Sequence, residues 1–124
     1  DILSVPQHET NVERNYEWWN SVFLNAVGRM NRVVMVLDSW DSPLTLKRAW
    51  CIFEVFACES TCSEFHVAMT EAVSARFVED IQCEGRVAAM HRAMHALQCE
   101  TAEAKVLEER NKIFENIRRT VGFE

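Results

Sequence analysis

Apolar side chains recur at intervals of three and four from Tyr16 to Met30, through Trp19, Val22, Phe23, Ala26 and Val27. That period predicts an amphipathic helix with one buried face. Thr10-Asn11-Val12-Glu13 has capping-box form just upstream, with Thr10 as N-cap and Glu13 reaching back. Before it, Asp1 to Gln7 reads as the end of a strand entering a loop at Pro6. Val33-Val34-Met35-Val36-Leu37 is a continuous apolar run closed by Asp38. Such a run predicts a strand covered on both faces, as in a parallel sheet. On that expectation Val36→Asp should abolish folding, because an unpaired buried charge exceeds a domain's margin of stability.

The pattern then changes period. Ser39 to Pro43 reads as a loop, and Leu44 to Ser60 as a helix that is apolar nearly all round and so largely buried. Phe65 to Met69 predicts a second short strand. Three helices should follow. One spans about Glu71 to Ile81, with Ala72, Val73, Phe77, Val78 and Ile81 inward. Another spans about Gly85 to Leu97, with Val87, Met90, Met94 and Leu97 inward. The last runs from about Ala102 to Val121 with Val106, Ile113, Ile117 and Val121 as its apolar stripe. Gly122 is placed to cap it, and Glu108/Lys112 and Glu115/Arg119 are set as i, i+4 pairs on its wet side.

Strands alternating with helices imply an α/β fold with a partial, doubly wound parallel sheet and a helix-rich C-terminal half. The 124 residues fit one domain, 1–124. Two strands make a meagre sheet, and the chain opens on Asp1, so earlier strands are expected to be missing from the N-terminus. A fragment of this kind is expected to be sticky or oligomeric.

Composition narrows the function classes. Apolar residues make up 48% and charged residues 26%, which is ordinary for a packed domain and far from the regime of disorder. The net charge is −6, and no basic run is longer than Lys47-Arg48 or Arg118-Arg119. Nucleic acid and anionic membrane surfaces are therefore poor partners, since both require concentrated positive charge. No apolar stretch approaches the roughly 20 residues that span a bilayer. Five cysteines, an odd number without a Cys-x-x-Cys pair, suit reduced thiols in a cytoplasmic protein.

Candidate chemistry is sparse. No glycine-rich phosphate loop occurs, which removes the nucleotide fingerprints. His91 and His95 stand at metal-ligand spacing on a predicted helix, but only Cys99 is nearby as a further ligand, so no metal site is expected. Cys58 and Cys62 are also four apart and would share a helix face. Cys51 lacks a neighbouring base and reads as a packed thiol. Trp18, Trp19 and Trp40 suit base stacking and core packing equally. The conspicuous residue is Glu54, the only carboxylate between Asp41 and Glu59. Burial there raises its pKa. Two interpretations stand side by side: a structural carboxylate bound by an arginine or a backbone group, or a functional one lining a cleft.

The strand Val33 to Asp38 followed by a helix with Trp50-Cys51-x-x-Glu54 resembles the third strand and following helix of the Toll/interleukin-1 receptor (TIR) family. Arg48-Ala49 stands directly before the tryptophan, where many members carry a serine. A wider likeness includes Asp1-x5-Gln7-His8, Glu17-Trp18-Trp19-x3-Phe23 and Ile113-x3-Ile117-x4-Gly122. It is similar to a TIR-like domain of protist and algal proteins that continue into tetratricopeptide repeats and are called kinesin light chain-like. Asp1 to His8 also resembles an element of fungal heterokaryon-incompatibility domains. The resemblance implies a flavodoxin-like sheet and a cytoplasmic signalling module with protein partners, including copies of itself. In NAD-cleaving members the matching glutamate is catalytic. The resemblance therefore implies Glu54 as the candidate catalytic residue, Trp50 and Trp40 as candidates to bind the dinucleotide, and NAD as substrate with no resident cofactor. Of the three functions open to such a chain (interaction module, NAD-cleaving enzyme, inert structural domain), the first is favoured, since a fold does not license a reaction.

Overall fold

A computed structural model describes residues 16–96 and 98–120. The expected strand at Asp1–Gln7, the Thr10 cap, Leu97, Val121 and Gly122 lie outside the described residues. Helix α1 is Tyr16–Met30, strand β1 is Arg32–Leu37, helix α2 is Ala49–Ser60, strand β2 is Glu64–Met69, α3 is Glu71–Glu84, α4 is Arg86–Ala96 and α5 is Leu107–Thr120. Short 3-10 turns at Leu44–Lys47 and Cys99–Thr101 precede α2 and α5. The chain is thus mixed α/β and mostly helical. Among the described residues its sheet is two parallel strands, in register from Arg32 against Glu64 to Leu37 against Met69.

Helix α1 ends where Asn31 takes a left-handed φ of 53° and its N–H returns to Val27 O at 2.8 Å. Asparagine tolerates that conformation better than most residues, and it turns the chain directly into β1. Tyr16 and Val27 are buried on α1 with Phe23 and Leu24 packed beside them, while Val22 and Met30, expected inward, are exposed. The buried stripe is narrower than the apolar pattern because, among the described residues, α1 packs chiefly on α2, with α5, one end of β1 and the turn after α2 at its margins.

The largest core cluster is centred on α2. Ala49, Ile52, Phe53 and Phe56 pack against Tyr16 of α1 and against Ile113, Phe114 and Ile117 of α5. Phe53 is fully buried, with the rings of Tyr16, Phe23, Trp50 and Phe56 around it at centroid distances of 5.6–6.4 Å. A second cluster joins Val27, Ala57 and Cys58 to Val33 of β1. The third lies apart. Trp40, on the loop after β1, packs with Ala89 and Ala93 of α4 and with Met69, Val73, Phe77 and Ile81.

The strand β1 departs from expectation. Side chains alternate across a sheet, so Val33, Met35 and Leu37 point to one face and Arg32, Val34 and Val36 to the other. Met35 is 6% exposed, but Val36 is 63% exposed and Val34 is also open. Among the described residues nothing covers that second face. The expectation that β1 is buried on both faces, with Val36 in the core, is therefore corrected.

Four helices also differ. The predicted Leu44–Ser60 helix is broken at Arg48, whose φ of −106° and ψ of 122° are extended. Arg48 forms an isolated parallel bridge with Glu103: Ala49 N–H donates to Glu103 O and Glu103 N–H to Lys47 O, both at 2.8 Å. That pairing also keeps residues 102–106 out of α5, so Val106 is exposed rather than part of the buried stripe. In α3, Val73, Phe77 and Ile81 face Trp40, while Ala72 and Val78 are exposed. In α4 the expected inward face is turned out. Val87 is 83% and Met94 71% exposed, and Ala89 and Ala93 are buried in their place. Arg92 shares the face of Ala89 and Ala93 by spacing and is bound by carboxylates on the neighbouring elements. The alanines let α4 approach closely, and the arginine fixes its rotation.

Candidate functional site

Helix α2 carries the motif residues Trp50, Cys51 and Glu54. Apolar neighbours on every turn hold the helix against α1 and α5, so its polar side chains have little freedom. Trp50 is half-buried in the large cluster, edge-on to Phe53 at 5.6 Å and tilted against Tyr16 at 6.3 Å. Its Nε1–H donates to Glu109 Oε2 on α5 at 3.2 Å. Glu54 follows one turn later on the same side of the helix and is half-buried. Burial raises its carboxyl above the ordinary glutamate range, against an opposing pull from the Arg48 charge. Among the described residues no side chain or backbone group forms a hydrogen bond or ion pair with the Glu54 carboxylate. Cys51 is buried beside it, and burial together with the Glu54 charge raises its thiol. A thiol held up in this way is not an activated nucleophile.

The other site candidate, Trp40, is placed elsewhere. It is buried, its Nε1–H donates to Asp80 Oδ2 at 3.0 Å, and its ring stands edge-on to Phe77 at 5.3 Å. The Arg92 guanidinium lies 5.3 Å from its centroid. Phe77 and Arg92 already occupy this ring as a core residue does, which leaves little room for a nucleobase. Glu54 and Trp50 are thus neighbours, whereas Trp40 and Trp50 belong to separate clusters.

A cleft of 530 Å³ opens near the C-terminal end of β1, with Ser42, Lys47, Gln98, Cys99, Thr101 and Glu103 among its walls. Glu54, Trp50 and Trp40 are not part of it. Glu54 sits farther along α2, past the turn that meets the cleft.

Sequence reasoning passed over one polar centre. Arg92 donates to Asp41 Oδ2 at 2.9 Å and, through two nitrogens, to Glu84 at 3.1 and 3.2 Å; Asp80 lies 3.8 Å away. The Ser39 hydroxyl and the Arg92 guanidinium hold Asp41 below the usual carboxylate range. Ala89-x-x-Arg92-Ala93, an arginine set among small residues on one helix face, is the local signal that could have found it. The cation, carried by α4, is shared among carboxylates of the loop and of α3, so the arrangement reads as a clamp between elements.

His91 and His95 meet edge to face with centroids 4.4 Å apart on an exposed surface, and no group of three metal-binding side chains occurs among the described residues. Cys62 falls beyond the end of α2 with a left-handed φ of 52°, exposed, while Cys58 is buried and donates its S–H to Ser63 O. They do not share a face. Among the described residues no helix is long and apolar enough to cross a membrane. No protein-family model, curated protein or solved structure matches the chain.

Proposed function

We propose that the chain is a protein-interaction module of TIR-like type, a signalling domain that works by binding other protein domains, including copies of itself. The observation that carries this is the apolar surface of the sheet. Phe65 and Val67, neighbours on one face of β2, lie open in a chain whose helices otherwise pack three well-formed clusters. Exposed apolar groups gathered on one element mark interaction sites more often than scattered ones do. The unit β1–α2–β2, with its parallel strands and Trp50-Cys51-x-x-Glu54 helix, supports the TIR-like doubly wound sheet. A cytoplasmic setting beside tetratricopeptide repeats follows from the same resemblance.

A second function, NAD cleavage, is favoured by one feature: the raised, half-buried carboxyl of Glu54. It would stabilise an oxocarbenium-like ribose as the nicotinamide leaves. Against it, Trp40 and the cleft are both removed from Glu54. A paired measurement separates the two. Light scattering across a concentration series and NAD consumption are recorded for the protein and for Glu54→Gln. Association without NAD consumption in either form is the expected result. Consumption by the parent that disappears in a folded Glu54→Gln variant replaces the interaction module with an enzyme. A parent that neither associates nor consumes NAD removes both.

A further inference from the structure

In a parallel pair, each strand turns the backbone groups of alternate residues toward its neighbour. Glu64 N–H donates to Asn31 O at 3.1 Å, which sets the phase: Glu64, His66 and Ala68 face β1. Phe65, Val67 and Met69 therefore turn their N–H and C=O groups outward. The phase on β1 agrees, since Val36 O points away from β2 and is capped by the Thr45 hydroxyl at 3.0 Å. The two edges differ accordingly. The outer edge of β1 is partly closed by the Leu44–Lys47 turn, whereas among the described residues nothing bonds the outward groups of Phe65, Val67 or Met69.

Open strand edges are ordinarily guarded by lysine, proline, a bulge or an overlying loop. The sequence Glu64-Phe65-His66-Val67-Ala68-Met69 has no lysine and no proline. Its one carboxylate, Glu64, is already bound by Arg32 at 2.9 Å. Phe65 and Val67 are both substantially exposed. The chemistry that fits such an edge is another extended backbone.

We propose that β2 pairs antiparallel with β2 of a second copy about a two-fold axis through Val67, which joins the two sheets into a continuous four-stranded one. This deepens the interaction-module function proposed above and rests on it. In this register Val67 lies opposite the partner's Val67, and Phe65 opposite the partner's Met69. All are outward-bonding positions, giving about six hydrogen bonds across the axis. Glu64 falls opposite the partner's Thr70 and His66 opposite the partner's Ala68, so no like charges meet and apolar side chains face apolar ones. Shifting the register by two residues sets His66 against itself and loses the contribution of Met69. An isologous contact of this kind closes on itself and stops at a dimer. An edge of six residues is about 20 Å long and buries a few hundred Å² per partner. That is well under the roughly 800 Å² per partner of a stable complex, so the dimer is weak and concentration-dependent.

The experiment is sedimentation equilibrium from about 10 μM to 1 mM for the parent, Val67→Pro, Val67→Lys and Val36→Lys. Proline at 67 removes an N–H that takes no part in the β1 ladder, and lysine sets like charges together on the axis. The parent is expected to move from monomer toward dimer mass, both Val67 variants to associate at least tenfold more weakly, and Val36→Lys to match the parent. Amide exchange in the unmodified protein gives a readout that no folding defect can disturb: on concentration, Phe65, Val67 and Met69 should slow and Val34 should not. A parent that associates with no slowing at these amides and undiminished mass in the Val67 variants overturns the β2 edge but leaves the interaction module standing. A parent that stays monomeric throughout overturns both.

Discussion

Replacing Met35 and Val36 in turn by aspartate tests the one-sided burial of β1 with two adjacent residues of opposite orientation. Met35 is 6% exposed and points at the helix-covered face; Val36 is 63% exposed and points away. At Met35 the substitution forfeits about 2–3 kcal/mol of apolar burial. It also places a carboxyl among apolar neighbours, which costs several kcal/mol more or protonates it. The sum is comparable with the whole stability of a domain, about 5–15 kcal/mol. At Val36 the loss is that of a β-branched residue from an open strand position, about 1 kcal/mol or less. Urea denaturation followed by far-UV circular dichroism and tryptophan fluorescence reads both. The expected outcome is a cooperative, slightly weakened transition for Val36→Asp and little or no native baseline for Met35→Asp. Equal damage from the two would show that β1 is covered on both faces and would sink the orientation argument.

Phe53→Ala should cost about 3–5 kcal/mol, because a fully buried ring is removed from among four others; chemical denaturation measures it. Arg92→Met should loosen α4 more than α1 or α5, seen as faster amide exchange confined to residues of α3 and α4. Asp41 has a lowered pKa, so its contribution is present above the unfolded carboxylate value and is lost as pH falls through the folded one. Acid titration of stability should show that loss in the parent and a smaller one in Arg92→Met. Glu54 has a raised pKa, so the folded state favours its protonated form and loses stability as pH rises from the unfolded value through the folded one. Glu54→Gln should therefore be more stable than the parent at neutral pH, with the gap closing in acid; a destabilised variant at pH 7 would refute a carboxylate whose desolvation outweighs its charge attractions.

Much of the element order was legible because continuous apolar runs and strong three-four periodicity are local signals. β1, β2 and the buried character of α2 follow from them directly. What escaped depends on contacts distant in sequence. Nothing near Arg48 indicates that it stretches out to pair with Glu103, and without that pairing the helices at 44–60 and 102–121 read as longer than they are. The wrong face of α4 has a clear cause. Hydrophobic periodicity weighs Val87, Met90 and Met94 above alanine, but close helix approach and a shared arginine decided the rotation. The Trp50-Cys51-x-x-Glu54 group was visible because a carboxylate in an apolar helix is anomalous by itself. Its surroundings were not, since Glu109, which takes the Trp50 N–H, lies on a helix many residues away.

The clasp between Arg48 and Glu103 has a consequence for how the molecule comes apart. It ties together two points 55 residues apart in the chain, and α1, α2 and α5 meet on one side of it. Everything from β2 through α4 is an excursion that leaves the α2 end and returns just before Glu103, and its helices close a small core over Trp40, which the loop after β1 contributes. Cooperative units of this kind open separately, each with its own free energy. The excursion can melt while the clasp and the three-helix core persist, so the chain should behave as two foldons of unequal strength, with the apolar sheet edge belonging to the weaker one.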